Sequence, residues 1–277
     1  MHSEGSHTGP AHPRQEDSRH VYASMGGPPD LGAGPSTAKT HRSAAREGPA
    51  PPAQVTARQQ GRRAALLALI AGYVDAYAFV KYRLYVSFMS GNTTQTGSQA
   101  GQARFAEAGY SLFPIPCFVI GVFVGTVLAH SNLRHPLRVI LGVVATTLAL
   151  GITAGLFLSL SGWLSVALLS LAMGTMSTTM TRVGEQAVSV SYVTGSLTNM
   201  MQHVALAIRN IPLPRPQGSW DTHGWRTRVL ASVWTAFFTG AVLAGVALPR
   251  FGAWTLLLPI FVLIAMAAAT RSPNTSG

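Results

Sequence analysis

From Ala64 onward the sequence is a succession of near-continuous apolar runs, at about 64–80, 112–129, 139–160, 163–180, 229–248 and 251–269. Each approaches or reaches the roughly 20 residues that an α-helix needs to cross a bilayer. In hydrocarbon every backbone N–H and C=O must find a partner within the chain, which leaves helices or a closed barrel. The runs lack the two-residue alternation of barrel strands. An all-α, polytopic transmembrane bundle of about six spans is therefore expected. Charged residues make up 10% of the 277, against about 25% in soluble domains. That scarcity excludes a disordered chain and argues against a soluble enzyme.

The first 60 residues differ in kind. They are rich in Gly, Pro, Ser, Ala and His and nearly free of large aliphatic side chains, so they cannot bury enough apolar surface to offset the entropy of ordering them. The expected organisation is a disordered tail over 1–60, a transmembrane domain over 61–271 and a short tail over 272–277. His2, His7, His12, His20 and His41 are irregularly spaced, as befits a solvated tail rather than a metal site. Cys117 is the single cysteine, which excludes an internal disulfide and a Cys-only metal centre. Neither a metal nor a cofactor is expected.

The net charge of +11 suits either nucleic acid or an anionic membrane surface. The placement of the cations decides for the membrane. With the N-terminus inside, Arg58, Arg62, Arg63, Arg134, Arg138, Arg182, Arg209, Arg215, Arg226, Arg228 and Arg271 fall on the cytoplasmic side. Only Lys81, Arg83, Arg104 and Arg250 fall outside. This asymmetry predicts cytoplasmic termini and makes the lipid bilayer, not nucleic acid, the partner of the basic residues. Gly121–Gly125 and Gly151–Gly155 are small-xxx-small pairs that let helix backbones approach. Whether they meet helices of the same chain or of a second copy in a homo-oligomer is not readable from spacing.

The most informative feature is a repeat. Val86-Ser87-Phe88-Met89-Ser90-Gly91-Asn92-Thr93-Thr94 returns as Val190-Ser191-Tyr192-Val193-Thr194-Gly195-Ser196-Leu197-Thr198. Each copy follows one apolar run and precedes two more, with Ala71-Gly72 loosely matching Met173-Gly174. Two halves result, about 64–160 and 163–270. If the motifs do not cross the membrane, three spans per half invert the second half relative to the first, a pattern shared by many secondary transporters. If they cross, the halves are parallel, and Arg134 and Arg138 lie outside, against the charge rule. Re-entrant or half-membrane motif helices are thus the favoured expectation.

The motif side chains are neutral hydrogen-bonding groups. Ser87, Ser90, Gly91, Asn92, Thr93 and Thr94 in the first copy, with Ser191, Thr194, Gly195, Thr198 and Asn199 in the second, could line a polar transport site near the midplane. They could equally satisfy backbone groups and glue helices together. Ser90 is a candidate N-cap for a following short helix whose N–H groups would favour an anion. Asp75 lies deep in the first run, where a carboxylate costs on the order of 3 kcal/mol. Ala68, Ala71, Gly72 and Ala78 share its helix face, directing it into the bundle. It is a candidate proton carrier or, alternatively, an acceptor for the N–H groups of a broken helix. Arg182 and Glu185 form a candidate gating pair just before the second motif. No nucleophile–base constellation, H-E-x-x-H, P-loop or dinucleotide fingerprint is present, so no catalytic residue is assigned and an enzyme is not expected.

The A-G-Y-V-D-A stretch at 71–76 and V-S-F-M-S-G-N-T-T at 86–94 resemble the YoaK family of bacterial inner-membrane proteins. The resemblance covers about 62–270 and implies a domain of unknown function with about six spans in the bacterial inner membrane. It brings no substrate. The expectation is a transporter or permease for a small polar or anionic solute, proton-coupled through Asp75; the alternative is a non-transporting scaffold or signalling subunit.

Overall fold

The computed structural model describes residues 53–157, 162–179, 182–183, 186–187 and 193–270. The chain forms α1 (Ala53–Tyr82), α2 (Met89–Gly101), α3 (Phe105–Leu112), α4 (Pro114–His130), α5 (Pro136–Phe157) and α6 (Trp163–Ser177). Two-residue strands β1 (Arg182–Val183) and β2 (Gln186–Ala187) pair antiparallel. Then come α7 (Val193–Ile208), α8 (His223–Phe251), a 3₁₀ turn (Gly252–Leu256) and α9 (Leu257–Ala269). Local chemistry sets several boundaries. Prolines open α4 and α5, where the missing N–H would have no helical partner anyway. Thr222 caps α8 by accepting the Trp225 N–H at 3.1 Å. Gly252, at φ +55°, ends it, a left-handed conformation that glycine adopts without penalty.

Four helical stretches are long and apolar enough to cross a membrane: Ala53–Tyr82, Phe105–His130, Pro136–Leu156 and His223–Ala269. Among the described residues all six apolar runs contribute helices, but two of these helices are shorter than their hydropathy suggests. The run at 163–180 becomes α6, of 15 residues, and the run at 251–269 becomes the 3₁₀ turn and α9, of 13 residues. At 1.5 Å per residue these helices rise about 22 and 20 Å, short of a core roughly 30 Å thick. The outer surface is apolar: Ile120, Phe123 and Val127 of α4 and Phe238, Val242, Phe261 and Ile264 of α8 and α9 are exposed.

Glycine-mediated crossings organise the interior. A Cβ at Gly72 would run into the Phe237 carbonyl, and one at Gly240 into the Leu69 carbonyl, so α1 and α8 touch backbone to backbone. Gly121 meets the Leu171 carbonyl and Gly174 the Phe118 carbonyl in the same reciprocal way, and Thr175 Oγ1 donates to the Gly121 carbonyl at 3.1 Å. Such approach is how helices gain packing energy where no hydrophobic drive separates them from lipid.

The same contacts set chain direction. Gly61 lies beside Val229 and Gly72 beside Phe237, so α1 and α8 run parallel; Gly121 beside Leu171 and Gly125 beside Thr175 make α4 and α6 parallel. By contrast α1 and α6 are antiparallel, because Gly162 packs on Tyr82 while Val183 packs on Gly61. Helices α5 and α6 form an antiparallel hairpin, with Ser165 Oγ donating to the Gly151 carbonyl at 3.2 Å. Arg138, in the first turn of α5, reaches Thr270 after α9 at 3.4 Å, so these two are antiparallel as well. The end where α1 begins is called proximal below, and the end where it finishes distal.

Candidate functional site

The first motif sits at the distal end. Arg83, at φ +59°, reverses the chain after α1, and the segment 84–88 packs back against that helix with Leu84 and Val86 fully buried. Two side chains clamp it. Asp75 Oδ1 accepts the Val86 N–H at 2.9 Å and the Ser87 N–H at 2.8 Å, while its Oδ2 accepts the Ser87 hydroxyl. Asn92, with no exposure, brackets Tyr85: its Oδ1 accepts the Tyr85 N–H at 3.1 Å and its Nδ2 donates to the Tyr85 carbonyl at 2.6 Å. An irregular segment inside a membrane protein has backbone groups that no helix ladder serves. Asp75 from α1 and Asn92 from α2 serve them here.

Aromatic packing completes the clamp. Tyr85 stacks on Phe79 at 4.8 Å and meets Phe88 edge-on at 5.3 Å. Gly91 lies beneath both rings, and a Cβ there would come within 2.5 Å of Phe88. The N-cap of α2 is Phe88, without a side-chain cap bond. Ser90 lies inside the helix and is exposed, so the expected Ser90 cap is not formed. The reason is that α2 already begins at Met89, which places Ser90 in the first turn and Phe88 at the cap position.

The polar motif therefore divides in two. Asp75, Ser87 and Asn92 are drawn together in the interior, whereas Ser90, Thr93 and Thr94 are exposed on α2. Farther along, Gln99 is buried and accepts the Ser111 hydroxyl at 2.7 Å, tying α2 to α3. Tyr110 donates to the Tyr82 carbonyl at 3.2 Å, so the chain after α2 is back beside the distal end of α1. The α2–α3 segment returns to the end it started from.

Of the second motif, the structure describes residues 193–198, at the start of α7. Ser191 and Glu185 lie outside the described residues, as do the side chain of Arg182 and the expected Arg182–Glu185 pair. Of the rest, Thr194 and Thr198 are exposed on α7, with the Thr198 hydroxyl donating to the Thr194 carbonyl at 3.0 Å. Gly195 and Asn199 are half-buried. With Gly174 matched to Gly72, Ser177 of α6 stands where α1 carries Asp75. Its hydroxyl returns to the Gly174 carbonyl at 2.7 Å. Among the described residues, the carboxylate clamp is found at the first motif.

At the proximal end, two pairs escaped the sequence reading. His203 of α7 and His223 of α8 approach Nδ1 to Nδ1 at 2.9 Å, and His223 Nε2 lies 3.0 Å from the Ile211 carbonyl. A carbonyl only accepts, so His223 donates from Nε2; when it is neutral its Nδ1 accepts from His203. Arg226 grips Asp221 in a two-pronged pair, Nε to Oδ1 at 2.9 Å and Nη2 to Oδ2 at 2.8 Å. Asp221 also accepts the Gln217 N–H at 3.1 Å. The Arg226 bond holds the Asp221 carboxyl below the usual carboxylate range against the opposing effect of burial. Asp221 and Arg226 straddle the Thr222 cap five residues apart, a spacing that no helical or strand periodicity flags.

Residues 63–269 match the family described as a protein of unknown function, DUF1275. The chain belongs to this family. Neither a curated protein nor a solved structure matches it. It is a membrane protein by its long apolar helices, of a family without an assigned activity.

Proposed function

We propose that this DUF1275 chain is a six-span transporter or permease for a small polar or anionic solute, built from two inverted three-span halves, with α6 and α9 completing their crossings where the bilayer is locally thinned. The observation that carries the reading is the reversal of α6 relative to α1. It comes with an exchange of partners in which each half's first helix packs on the other half's second: α1 on α8 through Gly72 and Gly240, α6 on α4 through Gly174 and Gly121. Motif helix α2 stays at the distal end and α7 at the proximal end, as inverted halves with non-crossing motifs require. Arg58, Arg62, Arg138, Arg226 and Arg228 gather at the proximal end, while Lys81, Arg83 and Arg250 lie at the distal end. That distribution favours a cytoplasmic proximal end and cytoplasmic termini. Together with the YoaK resemblance it favours the bacterial inner membrane.

In this reading Asp75 latches the distal motif. Protonating Oδ2 turns an acceptor facing Ser87 into a donor and weakens the charge-assisted bonds at Oδ1. Proton uptake and release of 84–88 are thereby linked, which couples solute entry to protons. The burial of Asp75, Ser87 and Asn92, at 5% exposure or less, favours a second reading, a scaffold whose motifs only hold helices together.

The test uses Thr94→Cys and Thr198→Cys in a Cys117→Ala background, with an impermeant maleimide applied to right-side-out and inverted vesicles. Labelling from opposite faces is expected; labelling from one face overturns the inversion. Proteoliposomes loaded with a pH dye are then challenged with a panel of small carboxylates, phosphate and neutral polar solutes. Solute-driven acidification that Asp75→Asn lacks is the expected result, and wild-type flux in that variant sinks the coupling. Silence of the wild type across the panel favours the scaffold.

A further inference from the structure

We infer that the groove between the start of α1 and the start of α8 binds the phosphate headgroup of an anionic phospholipid. Its walls carry Arg58 and Arg62 from α1, Arg228 from α8, and Trp220 and Trp225. All three arginines are exposed, and among the described residues none forms an ion pair with a carboxylate. The contrast with Arg226, two residues before Arg228, is chemical: Arg226 is buried and neutralised by Asp221, which removes the local acid from the balance and leaves the groove's three charges uncompensated among the described residues.

Depth is set by sequence and packing together. Arg62 stands just before the apolar run that opens at Ala64, and Arg228 just before the one that opens at Val229. Gly61 and Val229 are neighbours, with a Cβ at Gly61 falling 4.0 Å from the valine methyl. Both arginine sets therefore lie at one level, at the boundary where hydrocarbon begins. Ala65 and Val229 line the groove below them, with the Ser232 hydroxyl turned back onto the Val229 carbonyl at 2.7 Å, while Ala57 and Gly61 lie at the level of the arginines and Gln54 and Thr222 at the opening. The cleft thus passes from guanidinium groups to small apolar side chains, matching a phosphate followed by an acyl chain. Trp220 and Trp225, edge-to-face at 4.8 Å, add the aromatic groups that favour this level of a bilayer. The positive start of α8, 29 residues long, reinforces the attraction for an anion. A soluble acidic peptide would use the charges but not the apolar floor.

This inference needs the membrane location and not transport, so its failure leaves the proposed function standing. The test takes the full chain in detergent and titrates dioleoylphosphatidylglycerol, dioleoylphosphatidylcholine and glycerol phosphate, reading bound lipid by native mass spectrometry and thermal stability by fluorescence. The variant Arg58→Gln/Arg62→Gln/Arg228→Gln is compared with Arg209→Gln/Arg215→Gln, which removes two exposed charges from the loop before α8. The wild type is expected to prefer phosphatidylglycerol, and the groove variant to lose about tenfold or more of that affinity while the loop variant keeps it. Equal loss in the loop variant, or equal binding of phosphatidylcholine, overturns the site. Glycerol phosphate matching the lipid would reassign the groove to a free phosphate compound. Should the triple variant fail to fold, Arg58→Gln and Arg228→Gln are each read alone, and unchanged lipid occupancy in both refutes the proposal.

Discussion

Replacing Asp75 separates a structural clamp from an incidental buried acid. The carboxylate accepts two backbone N–H groups and one hydroxyl from Val86 and Ser87, all within a region at most 5% exposed. In Asp75→Ala those three donors lose their acceptor where water has little access. An unmade buried hydrogen bond costs about 1–3 kcal/mol, so even with relaxation the loss is about 3 kcal/mol or more. Asp75→Asn is milder. Its oxygen can keep both N–H groups, and its amide can donate to the Ser87 hydroxyl, which accepts as well as donates. Only charge assistance disappears, about 1–2 kcal/mol. Alanine should therefore be worse than asparagine by about 2 kcal/mol, which corresponds to roughly 30-fold faster local opening. Hydrogen exchange of the Val86 and Ser87 amides in detergent-solubilised protein reads this directly, and a Ser87→Ala double-mutant cycle measures the hydroxyl's share. Equal exchange in the wild type and Asp75→Ala would refute the clamp.

The helix crossings and the proximal ion pair give two further tests. Gly72→Ala places a Cβ within 2.8 Å of the Phe237 carbonyl carbon, forcing α1 and α8 apart, and should lower stability by about 1–3 kcal/mol. Gly97→Ala, with open space around it in α2, should be neutral or stabilising by up to about 1 kcal/mol; melting temperatures by fluorescence-detected size exclusion compare them. Because Arg226 lowers the Asp221 pKa in the folded protein, the pair's stabilisation is fully present above the ordinary carboxylate pKa of about 4. It is lost as pH falls through the lower folded value. Arg226→Gln strands a buried carboxylate and should cost about 3–5 kcal/mol at neutral pH, with its stability deficit relative to the wild type shrinking below pH 4; a deficit independent of pH would count against the pair.

Much of the architecture was legible in order along the chain. Hydropathy marked all six apolar segments, and the lone acid of 71–76 stood out because a carboxylate at that depth needs a partner. Helix length was less legible. The run at 251–269 contains Gly252 and Pro259, and the positive φ of Gly252 breaks a segment that composition alone reads as continuous. The motif was visible as a unit, but its division was not. Ser87 and Asn92 turn inward while Ser90, Thr93 and Thr94 face outward, and neutral polar residues carry no mark of which way they point.

What the sequence determined by itself is the solvent: long apolar runs with so few charges require lipid around helices. What the tertiary structure decided is the pairing. Apolar helix faces are interchangeable against lipid, so hydropathy cannot say which helix meets which. Steric fit of one backbone against another, at Gly72 with Gly240 and at Gly121 with Gly174, selects the partners. Directional hydrogen bonds then specify what surrounds Asp75, since a carboxylate in a dry interior is held only by donors placed within about 3 Å of it.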